Sequence, residues 1–385
     1  VVGIITVNQD TFTNPTLYSI MAKLNAKKIP VCLFCGYQSN PIPKELSLTT
    51  YFDAPKGLNL PRKPHNLLKY LNTFFKVSSH IKEKRIKHLI AVDAAGLILA
   101  GRIKRFSKEI ELHYCSFEIY FADEIKNFPS LVTMKDKEIF YSKKLSSIII
   151  QDPIRKQLLA KENRINPQFK NWNLIPVAPI VIAEGQTKFT KTNFGLKETD
   201  TVYIHSGSVG SWAGIDFILN ALEKGLPEHT YIFIHNKGKF NFEDPSYIQL
   251  LELQSKGAPL VLHDTLFENY EAYCSFLKIF DYGIVLYESD NGVLTGMNIQ
   301  EIGLASGKFA CYMALGLPSI LSNCKTYTQI LENHAIGVIA NEQHDLHYHI
   351  LHHSLQQVKP DNCLRFYDKV LNPDHPIDVF INMIN

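Results

Sequence analysis

Short apolar runs rich in Val, Ile and Leu alternate with stretches of helical period along almost the whole chain. That alternation predicts repeated strand, helix, strand units around parallel sheets. In the first half, strands are expected near residues 1–7, 29–36, 88–93, 110–115, 146–151 and 172–177. Helices are expected between them at 15–25, 66–84, 95–106, 134–145 and 154–163, the first capped by Asn14 with Pro15 in its first turn. The polar stretch Glu184–Asp200 reads as a linker. Beyond it, strands fit at 201–206, 230–235, 259–263, 282–287, 317–322 and 336–340, with helices at 215–225, 246–255, 269–279, 307–315 and 326–334. The pattern is α/β: two Rossmann-like, doubly wound parallel-sheet domains spanning 1–180 and 181–365, followed by a segment 366–385. The last helical pattern, in 375–384, needs a surface to cover its Val379, Phe380 and Met383 side, and is expected to cross back onto the first domain.

Composition adds limits to this picture. The chain has 385 residues, 45% hydrophobic and 20% charged, a globular balance with no low-complexity segment. No uncharged apolar run reaches the roughly 18 residues of a membrane span. The opening VVGIITV reads as a strand rather than a secretion signal, so a cytoplasmic protein is expected. Seven cysteines, an odd number scattered through apolar patterns, favour reduced thiols, and Cys32 and Cys35 sit inside a strand with no second pair to complete a zinc site.

Net charge is only +3, but residues 1–178 hold 27 Lys+Arg against 14 Asp+Glu, and the remainder 13 against 23. Basic clusters fall at Lys82, Lys84, Arg85 and Lys87, at Arg102, Lys104, Arg105 and Lys108, and at Lys143 with Lys144. This excess suggests an anionic partner, and peripheral contact with the inner face of a membrane is the expected form. Nucleic acid is not expected, because the basic runs lack interleaved aromatics and no recognition helix is evident.

The segment SGKFACYMALGLPSILSN, residues 306–323, is the main chemical signal. Ser306 can cap a helix whose first N–H groups have no helical acceptor, Gly307 admits a ligand close to the backbone, and Lys308 supplies a full charge. Local physics alone fits this equally to an ordinary capped helix and to a pyrophosphate site. The string resembles the signature helix of retaining, nucleotide-sugar-dependent GT-B glycosyltransferases, in the manner of glycosyltransferase family 4. In the proper order, YIHSGSVGSWAGIDFILNAL (203–222) resembles the strand, Gly-rich loop and helix that open their nucleotide-binding domain. FDYGIVLYESDNGVLTGMN (280–298) is similar to their donor-sugar segment, and HLIAVDAAGLILA (88–100) with LHYCSFEIYF (112–121) to first-domain strands facing the cleft.

The resemblance implies that the second domain binds the donor while the first presents the acceptor, a hydroxyl of a glycan or lipid-linked molecule, as in polysaccharide biosynthesis. Ser206, Gly207 and Ser208 would approach the diphosphate, helped by Ser306, Gly307 and Lys308. The loop Gly292, Val293, Leu294, Thr295 and Gly296 would lie near sugar and phosphates. The family's two usual carboxylates fall here at Gly303 and Cys311, with Glu301 near enough to substitute for the first. Trp212 and Ala213 stand where relatives place Arg and Lys, which leaves Lys308 with more of the charge.

For the reaction itself, Asp10 and Asp93 follow strands where an open α/β sheet faces its ligand, and Glu118 matches an acidic position of the family. His113 reads as an ordinary core histidine. A retaining reaction would need no strong protein nucleophile, only positioning and stabilisation of the departing diphosphate, in which Lys308 takes part. No cofactor or metal is expected, since no spaced His/Asp/Glu cluster or D-x-D loop is apparent. The rival expectation is a non-catalytic GT-B-like partner subunit with a degenerate donor site.

Overall fold

The computed structural model describes residues 1–7, 12, 14–36, 42–54, 64–180, 189–236, 238–267, 270–290 and 292–384. The chain divides into two compact units. One comprises Val1–Ile180, Gly292–Leu294 and Pro373–Asn385, the other Val181–Asn291 and Thr295–Asn372.

The first unit is built on a seven-stranded sheet: β1 (Val2–Thr6), β2 (Val31–Cys35), β3 (Thr49–Asp53), β4 (His88–Val92), β5 (Glu111–Cys115), β6 (Ser147–Ile150) and β7 (Trp172–Leu174). Their spatial order is β3-β2-β1-β4-β5-β6-β7, and every adjacent pair is parallel. Ile4, Ile5, Leu33, Phe34, Leu89 and Ile90 are fully buried, as expected of strands covered by helices on both faces. Chain order reverses direction between β1 and β4. At such a switch point the loops leaving the strand C-termini open a crevice.

β3 is absent from the sequence expectation. Its TTYFD has no apolar run, and as the edge strand it buries only Thr49 fully. Asp93 also departs from expectation: it opens the helix Asp93–Lys104 instead of ending β4. The following Ala94-Ala95-Gly96 is buried, and a β-carbon on Gly96 would stand 2.7 Å from the Ile5 carbonyl oxygen. Glycine here lets the helix pack onto β1.

The terminal helix Asp374–Met383 does pack on this unit. It inserts Ile377, Phe380 and Ile381, spaced i, i+3, i+4, into the core, and Lys23 reaches Asp374 at 2.6 Å and Asp378 at 2.5 Å. Val379 and Met383 lie on the opposite stripe and are exposed, which corrects the face expected from sequence.

The second unit carries six strands: β8 (Thr201–Ser206), β9 (Thr230–Asn236), β10 (Leu260–Asp264), β11 (Tyr282–Val285), β12 (Ser319–Ser322) and β13 (Gly337–Ala340). Their order is β10-β9-β8-β11-β12-β13, again wholly parallel, with the switch point between β8 and β11.

Candidate active site

In the second unit, the switch point gathers the ends of β8 and β11 and the start of the helix Gly307–Ala314. Ser306 caps this helix: its hydroxyl accepts from the Phe309 N–H at 3.1 Å, and its carbonyl from Ala310 at 3.2 Å. The N–H groups of Gly307 and Lys308 have no acceptor among the described residues. They remain available to an anion. The Lys308 ammonium lies 4.0 Å from where a β-carbon on Gly207 would stand, so helix start and turn face each other. Lys308 also sits over the Tyr287 ring, 4.6 Å from its centroid, and burial lowers its pKa to about 7.

Two groups hold Lys308 in place, the Tyr287 ring and His205. The Tyr287 hydroxyl is 2.7 Å from Ser306 Oγ, and its N–H donates to Ser322 Oγ at 2.6 Å. His205 Nε2 donates to the Ser208 carbonyl at 3.1 Å, which turns the Nδ1 lone pair toward Lys308 Nζ at 3.5 Å. Burial and then the Lys308 charge hold the His205 pKa well below its ordinary value, keeping the ring neutral.

Ser206 points inward. His235 Nε2 donates to the Thr265 carbonyl, so its Nδ1 accepts from Ser206 Oγ at 2.7 Å, and Ser206 in turn accepts from the Tyr273 hydroxyl at 2.8 Å. The Gly207 N–H is bonded to the His235 carbonyl at 2.9 Å. Ser208, by contrast, is exposed at the turn. Thr295 closes its loop by bonding its hydroxyl to Asp290 Oδ1, and Gly296 precedes the short helix Met297–Gln300. Gly292, Val293 and Leu294 group with the first unit, Leu294 with φ at +70°.

In the first unit, Asp93 and Glu118 come together beyond the C-terminal ends of β4 and β5. Asp93 Oδ1 accepts from the N–H groups of Phe117 at 2.7 Å and Glu118 at 3.1 Å. Its φ of +52° is rare for a residue with a side chain, and such strain concentrates at functional sites. Burial, and secondarily the nearby Glu118 carboxylate, raise the Asp93 pKa to about 7. Burial also raises that of Glu118, against the pull of Arg155. Arg155, 1% exposed, donates to the Phe117 carbonyl at 2.6 Å and to Gln151 Oε1 at 2.8 Å, and Gln151 holds the Ser116 carbonyl at 2.7 Å. A carboxyl group poised near neutrality is suited to accept a proton from a hydroxyl. Asp10 lies outside the described residues.

No family model and no curated protein matches the sequence. Solved structures do match. HepE of Anabaena, in complex with UDP, superposes with a TM-score of 0.70 at 11% identity, over 100% of this chain and 99% of that one. WaaG, a glycosyltransferase involved in lipopolysaccharide biosynthesis, gives 0.65 at 13% identity over 98% of both chains. Sucrose-phosphate synthase from Thermosynechococcus elongatus gives 0.67 at 12% over 100% and 98%.

The chain has the GT-B fold. Two departures from the GT-B signature are now seen in three dimensions. Cys311 is 3% exposed, with its thiol within electrostatic reach of Tyr273, Tyr287 and Tyr312. Gly303 takes a left-handed φ of +45°, which a glutamate would adopt only under strain. Glu301 is buried, with Oε1 3.6 Å from Lys325 Nζ. Tyr287, His205 and Arg155 were missed by sequence reasoning. Each lies within a recognisable segment, but only its distant partners give it a role.

Proposed function

We propose that the chain is a glycosyltransferase that moves a sugar from a nucleoside-diphosphate sugar to a hydroxyl of a glycan or lipid-linked acceptor, with retention. The observation that carries this reading is the pair of open amides at Gly307 and Lys308 beside the Lys308 ammonium, at the turn after β8. There the helix start, the Ser208 hydroxyl and the lysine would neutralise the diphosphate as it leaves. The Asp93 carboxylate would take the acceptor proton, with Glu118 and Arg155 setting its charge. No protein nucleophile and no metal ion is invoked. Uridine is the favoured base, because HepE is described with UDP and with UDP-glucose.

Thermal-shift measurement with UDP, GDP, ADP and CMP compounds tests the donor. Uridine nucleotides are expected to raise the melting temperature, since a ligand of the native state stabilises it, and a flat response to the whole panel would refute the donor site. The buried Cys311 and the glycine at 303 favour a second reading, a non-catalytic GT-B-like partner subunit. Absence of both donor-dependent transfer and donor-dependent hydrolysis would select it.

The acceptor side bears on location. Among the described residues, no helix is long and apolar enough to cross a membrane. The fold brings to the basic face aromatics that the linear sequence does not interleave there. Phe74, Arg102, Arg105, Phe106, Phe140 and Tyr141 line a groove of about 550 Å³, with Phe106 and Phe140 exposed. The Arg105 guanidinium lies 5.3 Å from the Phe140 ring centroid, and Lys144 Nζ 5.2 Å from it. Cationic groups around exposed rings suit an anionic lipid surface, so the chain is expected to sediment with anionic vesicles and to be released by salt. Arg105→Ser should weaken sedimentation, and binding indifferent to lipid charge and ionic strength would count against this contact.

A further inference from the structure

The proposed transfer makes no use of a cluster at the opposite end of the first unit's sheet. His88 opens β4, Glu111 opens β5, and His113 follows two residues along β5. The register sets His88 beside Glu111 on neighbouring parallel strands, which lie about 4.8 Å apart. Residues i and i+2 of a strand share a face, so Glu111 and His113 stand on the side that His88 also occupies.

His88 Nδ1 is 3.2 Å from His113 Nε2 and 3.7 Å from Glu111 Oε2, and the three atoms all lie within 4.8 Å of one another. Two imidazole nitrogens bound at about 2.0–2.1 Å to a tetrahedral ion stand about 3.3 Å apart, so the histidine pair already has the required separation. Glu111 is exposed and can swing the remaining distance. From behind, Ser147 Oγ lies 2.8 Å from His113 Nδ1, the kind of outer contact that aims the other ring nitrogen of a metal-bound histidine.

We infer that His88, Glu111 and His113 form a three-ligand site for a divalent ion of the zinc class, with its fourth position open to water. Lys87 and Lys104 lie within electrostatic reach of the cluster. Their charge opposes ions held by ionic attraction to oxygen, such as Mg²⁺ and Ca²⁺, whereas an ion bonded to imidazole nitrogen tolerates it better. Because the site sits at the N-terminal ends of β4 and β5, away from Asp93, its role is to clamp these strands. His113 is also in edge contact with Phe380 of the terminal helix, ring centroids 5.6 Å apart, so the clamp extends toward that helix.

The test uses the full chain stripped with a chelator, then equilibrated separately with Zn²⁺, Mg²⁺ and Ca²⁺. Bound metal is measured by elemental analysis and stability by thermal melting. Zinc is expected to bind and raise the melting temperature, whereas magnesium and calcium do neither. His88→Ala and Glu111→Gln, both at solvent-accessible positions, should each weaken zinc binding by at least about 10- to 100-fold. His113 is buried and its replacement endangers the fold, so it is not the deciding variant. Replacing His347, His352 and His353 together removes three of the five histidines in the stretch 344–353 and should leave this zinc in place. Failure of the wild type to retain zinc would overturn the site. So would retention untouched by His88→Ala and Glu111→Gln, which would leave His88 and His113 as a hydrogen-bonded pair only.

Discussion

Asp93→Asn is expected to lower turnover by roughly 100- to 10,000-fold, the usual worth of a positioned general base, while leaving nucleotide affinity unchanged. The substitution preserves shape, and asparagine tolerates the left-handed backbone at this position better than most residues. What it removes is a carboxylate able to accept a proton. In the wild type, kcat/KM should fall as pH drops through about 7, where Asp93 becomes protonated. The Asn variant should lack that limb.

The same shift makes a separate claim about stability. Burial raises the Asp93 pKa from 3.8 to about 7, so the native state binds more protons than the unfolded chain between those values. Stability contributed by this group is therefore present in acid and lost as pH rises across that window, by an amount on the order of 3–4 kcal/mol. The Asn variant should be more stable than the wild type at pH 8 by up to that order, and should lose this advantage toward pH 4. Urea unfolding at both pH values measures the difference. Turnover within about threefold of the wild type would remove Asp93 from the chemistry, and a stability difference independent of pH would show that its carboxyl is not desolvated.

The fold was legible in sequence because its strands are mostly short apolar runs, and twelve of the thirteen among the described residues announced themselves in this way, the edge strands β7, β10 and β13 included. β3 did not, since an edge strand can keep TTYFD half in water. The helix expected at 134–145 in fact begins at Pro129, which occupies its first turn, and the apolar period alone did not reveal that start. In the site, Ser306, Gly307 and Lys308 could be read because a cap, a close approach and a charge occupy three successive positions. Tyr287 and His205 could not. Tyr287 acquires its place from Ser306 and Ser322, and His205 from a lysine 103 positions away. Arg155 carries no such signal in the chain, and its role comes from its placement, fully buried, against the carbonyl of Phe117. The aromatic and basic groove was hidden for the same reason, since Phe74, Phe106 and Phe140 come from separate parts of the chain.

Lys308→Met is expected to weaken binding of nucleoside diphosphates by about 10- to 100-fold, the range for losing one charge-assisted contact. Methionine keeps much of the apolar stem over Tyr287, so the loss reports the ammonium rather than the packing. The pH dependence separates this from a merely structural effect. With its pKa lowered to about 7, Lys308 is only half protonated at neutral pH in the free protein. A diphosphate favours the charged form, so wild-type affinity should decline as pH rises above about 7, approaching tenfold per unit, and binding at pH 8 should take up a proton. Calorimetry in two buffers of different ionisation heat detects that uptake. It should vanish in Lys308→Met, and uridine, which lacks the diphosphate, should bind both proteins alike. For the reaction, kcat/KM then requires Asp93 without its proton and Lys308 with one. Two pKa values near 7 make the profile a narrow bell, with about a quarter of the free enzyme in the competent state at its centre. Asp93→Asn should erase the acid limb and Lys308→Met the alkaline limb. A wild-type bell whose alkaline limb survives Lys308→Met, together with unchanged diphosphate affinity, would place the diphosphate somewhere other than the start of the helix Gly307–Ala314.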